Sequence, residues 1–232
     1  LTVILPRESF RNILTYPGTM NEMCFEDFDL SYLTSARHFH LSSFFLHRAL
    51  RPRIVELVRM IKAAGLTISL DTNDDPEDQW DGELHSVLRY VDVFLPNARE
   101  VCKITGTEDV DAAVHRLTQV ISVGAVKMGS QGAFAQRGKE RHTAPALAVE
   151  AIDPVGAGDS FDAGFIHQYV RGADLPTCLA FGNLAGAFST TRPGGTEAFR
   201  DRAHWEGFVL KHWPGAGNRA PENHLNSLKA PS

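Results

Sequence analysis

Few of the usual shortcuts to a function are available. The chain has only three cysteines, Cys24, Cys102 and Cys178. An odd, widely spaced set gives neither a disulfide framework nor a zinc site, and it fits a reducing, cytoplasmic setting. No apolar run approaches the roughly 20 residues of a membrane span, and the first residues carry no signal-peptide pattern, so no membrane partner is expected. Positive charge is not in excess. A net charge of −5 and a pI of about 6.1 argue against a nucleic-acid partner. The histidines are scattered without metal spacing, and His38 and His40, on a strand-like run, read as structural or solvent-facing. There is no internal repeat. The polar, Pro/Gly-rich stretch 215–232 reads as a disordered tail. The opening also lacks a methionine: Leu1 already stands in a strand-like run, which reads as a cut.

What is present suits one sizeable α/β domain: 232 residues, 43% of them hydrophobic. Leu1–Leu5 and Asn12–Tyr16 read as two strands joined through Pro6–Ser9. Strands follow at His38–Ser42, Leu66–Leu70, Val91–Leu95 and Ala125–Met128, and a hairpin at Phe134–Arg137 and Glu140–Thr143. Helices are expected at Phe25–Leu33, Arg53–Ala64, Glu83–Tyr90, Arg99–Thr105, Val110–Val120, Ala157–Arg171, Pro176–Thr190 and Phe199–Lys211. Alternating apolar strands and helices imply a mainly parallel sheet covered on both faces. In such sheets ligands bind beyond the C-terminal strand ends. That rule selects Asp71, Asn97, Gly129 and the loop around Gly156 together.

The most informative run is Asp153-Pro154-Val155-Gly156-Ala157-Gly158-Asp159-Ser160-Phe161. It follows a strand-like approach, Ala146–Ile152, and opens a helix. Free backbone N–H groups and the positive end of the helix dipole converge at such a point and bind anions, phosphate above all. Asp159 falls on the first turn beside them. A carboxylate there can accept the proton of a hydroxyl that attacks a phosphoryl group. The plainer reading is a tight Gly-x-Gly loop with an acid that complements the dipole. Asp162, nearly a turn further on, reads as a surface acid. Asn97 and Glu100 have a plain reading too, as a capping box at a helix start. Lys127, Gly129 and Gly132 read as a turn into a hairpin with an exposed lysine.

The string DPVGAGDSFDAGF resembles the C-terminal signature of the PfkB (ribokinase-like) carbohydrate kinases, D-T-x-G-A-G-D-x-F; Pro154 departs where that family usually has Thr. Pro96-Asn97-Ala98-Arg99-Glu100 resembles the family's N-x-x-E motif, and Val126–Gly132 its V-[TK]-x-G-x-x-G segment. Asp71-Thr72-Asn73, with Trp80 downstream, resembles its D-x-N…W stretch. The resemblance runs from Leu1 to about Lys211. It implies a ribokinase-like α/β fold in which 1–20 is part of a small β lid, 21–214 binds nucleotide and substrate, and 215–232 is the tail. It implies an ATP-dependent kinase acting on a hydroxymethyl group of a sugar or nucleoside, with Asp159 as base and the backbone of Gly156, Ala157 and Gly158 as anion site. Asn97 and Glu100 would position Mg²⁺ through water. Lys127, Gly129, Gly132 and Asn183 would contact the nucleotide. Asp71, Asn73 and Arg11 would face substrate, with Tyr16 beside Arg11 on the lid. Asp153, Val155, Ser189, Arg192 and Gly194 would enclose a monovalent cation, potassium. The lid is where a homodimer would form. Family members usually begin with further strands carrying a sugar-binding Asp, a Gly-Gly-x-x-x-Asn motif and half of the lid, which this sequence does not contain. Loss of central strands exposes apolar edges, so the alternative is a non-catalytic nucleotide-binding or regulatory chain of the same fold.

Overall fold

The computed structural model describes residues 2–7 and 10–213. The chain divides into two compact units, Leu1–Ala144 and Pro145–Ser232. The expected domain over 21–214 therefore contains parts of both. The tail expected from 215 lies outside the described residues.

The first unit opens with a hairpin, β1 (Thr2–Arg7) and β2 (Phe10–Thr15), which forms a sheet of its own. Its antiparallel register runs from Thr2 opposite Thr15 to Arg7 opposite Phe10, so Pro6 and Arg7, expected in the turn, belong to the ladder. The second sheet holds six strands in chain order: β3 (His38–Ser42), β4 (Thr67–Asp71), β5 (Val93–Phe94), β6 (Val123–Lys127), β7 (Ala133–Arg137) and β8 (Glu140–Ala144). β3 to β6 are parallel, and β7 and β8 return antiparallel. The expected α/β architecture with a mostly parallel sheet is observed.

Helices make the crossovers: α1 (Leu30–Thr34) precedes β3, α2 (Ile54–Ala63) follows it, α3 (Leu84–Leu88) follows β4, and α4 (Ala98–Thr105) and α5 (Val110–Leu117) follow β5. α2 buries Ile54, Leu57, Val58 and Ile61, one helical face, into a core shared with Ile68, Leu70, Leu84 and Phe94. Each such side chain contributes roughly 1.5–3 kcal/mol by burial. Ile68, Ser69, Leu70 and Asp71 are all buried. Successive strand residues point to opposite faces, so both faces of β4 are covered and its apolar run needs no alternation. His38 and His40 on β3 meet the Ser69 hydroxyl on β4, each at 2.8 Å. Burial, then the neighbouring His40, pushes His38 down to about 4.

The second unit is built on α6 (Ala157–Tyr169), α7 (Leu175–Ser189) and α8 (Arg202–His212). α6 and α7 approach closely: a Cβ on Gly164 would stand 2.7 Å from the Phe181 carbonyl oxygen. Phe188 on α7 meets Phe199, Trp205 and Phe208 at centroid distances of 5.0, 4.9 and 5.1 Å.

Three further differences from expectation have local reasons. Phe25–Leu33 is not one helix. Asp27 accepts from the Cys24 N–H and closes a 3-10 turn over Phe25–Asp27, and Asp29 then caps α1 through the Tyr32 N–H. Phe199–Lys211 is divided likewise, because Asp201 is extended and caps α8 through the His204 N–H at 3.0 Å. Ala146–Ile152 forms no strand. The Ile152 and Asp153 N–H groups bond instead to the Thr190 carbonyl, at 2.7 and 3.2 Å.

Candidate active site

Parallel pairing brings the C-terminal ends of β3, β4, β5 and β6 to one edge, so Asp71 closes β4 and Lys127 closes β6 at the same edge. The Lys127 N–H donates to the Pro96 carbonyl at 2.9 Å, and Lys127 bridges Asn97, which carries the β5–β6 pairing past β5. From there Asn97 starts α4. Its Oδ1 accepts the Glu100 N–H at 2.9 Å, while Glu100 Oε2 accepts the Asn97 N–H at 2.8 Å. The Asn97 amide also donates to Glu100 Oε1 at 2.5 Å. The capping box is real, and it fixes both side chains in one orientation.

Three charges meet in this buried neighbourhood. Lys127 Nζ donates to Asp71 Oδ2 at 3.0 Å, with the two side chains only 13% and 10% exposed. Glu100 is buried, and its carboxyl is pushed up to about 7, first by burial and then by the Asp71 charge, against the pull of the Asn97 N–H and Lys127. The plainer reading of Lys127 as an exposed lysine does not hold, and the residue is an internal counter-ion. After β6, Gly129 and Gly132 turn the chain with φ of +60° and +92°.

The loop after β4 is held from inside. Asp71 Oδ1 accepts the Asn73 N–H at 3.0 Å, and Asn73 sits in the left-handed region. Asp75, which sequence reasoning passed over, is buried and accepts the N–H groups of Glu77, Gln79 and Trp80 at 3.0, 2.8 and 2.8 Å. The available signal was Asp74-Asp75-Pro76, an Asx turn before proline. Trp80 buries its ring edge-on against Phe45, at 5.5 Å. Arg11 stands on β2 opposite Pro6. Its side chain lies outside the described residues. Tyr16 is exposed.

The second unit carries the signature loop. Asp153 ties two segments together: Oδ1 accepts the Val155 N–H at 3.0 Å and Oδ2 the Gly194 N–H at 2.8 Å. Gly156 takes φ +76°, and a Cβ there would fall 2.6 Å from Gly195 Cα. Only glycine meets both requirements. α6 starts directly after it. The Ala157 N–H donates to the Pro154 carbonyl at 3.3 Å, whereas the Gly158 and Asp159 N–H groups meet no acceptor among the described residues. Asp159 is exposed beside them. Asp162 is not the surface acid expected; it is buried on the face of α6 that also holds Phe161 and Phe165. Asn183 on α7 donates to the Pro145 carbonyl at 3.0 Å. The Ser189 hydroxyl donates back to Gly186, and the Arg192 guanidinium pairs with Asp201 at 2.8 Å. Among the described residues the Gly194 carbonyl accepts only a long bond, 3.4 Å, from the Glu197 N–H.

The structure thus joins Asp71, Asn97, Glu100 and Lys127 in the first unit, and Asp153, Val155, Gly156 and Gly194 in the second. Among the described residues no helix is long and apolar enough to cross a membrane.

Known proteins resemble this chain in sequence and in fold. An uncharacterized sugar kinase from Archaeoglobus fulgidus is 27% identical over 201 residues, covering 84% of this chain and 77% of that protein. The ATP-dependent ribose-1-phosphate kinase of Halopiger xanaduensis is 30% identical over 174 residues, covering 75% of this chain and 55% of that protein. The chain thus spans only about half the length of the second relative. Among solved structures, a provisionally named ribokinase II from E. coli, in complex with ATP and Mg²⁺, superposes with a TM-score of 0.79. It is 25% identical, with 91% of this chain and 71% of that one covered. The fold is accordingly ribokinase-like. The model of the pfkB family carbohydrate kinases matches residues 2–202, from the first hairpin to the start of α8, and this chain belongs to that family.

Proposed function

We propose that the chain serves ATP-dependent phosphoryl transfer to a hydroxymethyl group of a sugar or nucleoside. One observation carries the reading. At the start of α6 an exposed carboxylate, Asp159, stands beside backbone N–H groups that have no acceptor among the described residues, and the structural duty in that loop falls on a different acid, Asp153. A carboxylate released from structural bonding is available to take a proton. Amides without acceptors at a helix start are available to an anion.

In this reading Asp159 accepts the proton of the acceptor hydroxyl as its oxygen attacks the γ-phosphorus of ATP. The amides of Gly158 and Asp159 stabilise the charge that builds on the transferring phosphoryl oxygens. Asp71 and Asn73 hold the acceptor. Lys127, Gly129, Gly132 and Asn183 contact the nucleotide.

Magnesium suits Asn97 and Glu100. The donors are hard oxygens, and Asp71 and Glu100 bring two carboxyl groups against one ammonium, an imbalance that a cation relieves. Mg²⁺ keeps most of its waters and needs few protein ligands. When bound it neutralises charge on the phosphate oxygens. A weakly hydrated monovalent cation suits Asp153 with the carbonyls of Val155, Ser189, Arg192 and Gly194, an all-oxygen set with little positive charge in it.

The test is direct. The protein is incubated with Mg-ATP and a panel of pentoses, hexoses and nucleosides, and phosphorylated products are sought by mass spectrometry. Transfer to a primary alcohol supports the proposal. Mg-ATP binding with no turnover of any acceptor supports the non-catalytic alternative instead.

A further inference from the structure

Lys127 and Asp71 were expected to serve different ligands, the one phosphate and the other the acceptor. The structure pairs them with each other at 3.0 Å, both nearly buried. The rest of the neighbourhood restricts how the pair can respond. The Lys127 backbone is fixed by the Pro96 carbonyl and the bridge to Asn97, so only its side chain can move. Asp71 keeps the Asn73 N–H on its other oxygen. One ammonium stands among two carboxyl groups, Asp71 and Glu100, and cannot compensate a phosphate while it still holds Asp71.

We propose that Lys127 is a coupling residue: its ammonium occupies Asp71 until a nucleotide phosphate draws it away, which releases Asp71 to the acceptor. The inference rests on the kinase reading above. A polyphosphate carries more negative charge than a carboxylate and wins the lysine in a site of low dielectric. Once the lysine leaves, Asp71 is a buried carboxylate that has lost its counter-ion, an unfavourable state. A hydroxyl donor from the acceptor offsets that loss. Nucleotide binding therefore strengthens acceptor binding, and by linkage the acceptor strengthens nucleotide binding. Phosphoryl donor and acceptor are brought in together, and the site is least receptive to an acceptor when no donor is present.

A double-mutant cycle tests this without knowledge of the acceptor. Mg-AMPPNP is titrated calorimetrically into the wild-type protein, Asp71→Asn, Lys127→Met and the double variant, each checked for folding by circular dichroism. The expected result is that Asp71→Asn tightens binding about 5-fold, because the lysine no longer has to be taken from a partner. Lys127→Met weakens binding about 10-fold, and Asp71→Asn then adds nothing in the Lys127→Met background. An equal tightening in both backgrounds would show a general charge effect and overturn the inference, while leaving the kinase reading intact. No binding to folded wild-type protein overturns both. If a single variant fails to fold, a crystal structure of the wild type with Mg-AMPPNP decides. Lys127 Nζ on a phosphate oxygen and off Asp71 supports the inference, and Nζ still on Asp71 overturns it.

Discussion

The strand-end cluster of the first unit and the signature loop of the second use carboxylates in opposite ways. At the strand ends every acid is both structural and a candidate for function. Glu100 caps α4 while it sits buried near Asp71, and Asp71 holds Lys127 and Asn73. In the signature loop Asp153 fastens the loop and is a candidate cation ligand, whereas Asp159, six positions on, stands exposed at the helix start. The difference teaches where activity can be removed cleanly. Substitution in the first cluster disturbs packing and function together, whereas Asp159 allows function to be changed without disturbing the loop.

The largest effect expected follows from that separation. Asp159→Asn keeps shape and removes basicity, so kcat falls about 10²–10⁴-fold, with little change in the affinity for Mg-ATP. Steady-state kinetics and a nucleotide titration check it. Asp162→Asn is no neutral control, since that side chain is buried.

Next in size is loss of the loop fastening. Asp153→Ala strands the Val155 and Gly194 N–H groups and costs roughly 1.5–3 kcal/mol. Gly156→Ala forces a strained φ and a clash with Gly195, with a cost of about 1–3 kcal/mol. Denaturant unfolding measures both. A smaller stability loss, about 1 kcal/mol, is expected for Asn97→Ala, which removes the N-cap of α4. Unlike Asp159→Asn, this substitution should also weaken Mg²⁺ dependence, which a metal titration of activity reads.

The smallest effect is in pH dependence. Glu100 titrates higher in the folded chain, about 7, than its usual value of 4.5. Between those two values the folded state therefore binds more protons than the unfolded state, and Glu100 makes stability fall as pH rises. His38 has the opposite sign. Its value of about 4 lies below the usual 6.5, so the unfolded state binds more protons and stability rises with pH across that window. The two offset each other where the windows overlap. Glu100→Gln should therefore leave a protein whose stability climbs more steeply from pH 4.5 to 7 than the wild type does. Unfolding midpoints at several pH values give the slopes, and parallel profiles would contradict the assignment.

Much of this was legible in the sequence because it is local. The loop-to-helix junction at Gly156–Asp159, the capping box at Asn97–Glu100 and the α2 face are set by residues within one or two turns of each other. The helix breaks at Asp29 and Asp201 were local too, but a capping side chain looks the same inside a helix as at its start until the backbone is seen. The strand expected over Ala146–Ile152 did not form, and among the described residues no strand pairs with that segment. The N–H of its last residue, Ile152, goes to the Thr190 carbonyl at the end of α7, some forty residues away. The Lys127–Asp71 pair was beyond reach for the same reason, as its partners are 56 residues apart and only the parallel register of β4, β5 and β6 brings them together.

The contrast between Asp153 and Asp159 is tested most directly by measuring turnover and the thermal unfolding midpoint on the same preparations of Asp153→Asn and Asp159→Asn. The expected result separates the two acids. Asp159→Asn loses turnover by about 10²-fold or more while its midpoint stays within about 2 °C of the wild type. Asp153→Asn shows the larger drop in midpoint. An Asp159→Asn protein that unfolds early, or that turns over at the wild-type rate, would contradict the account.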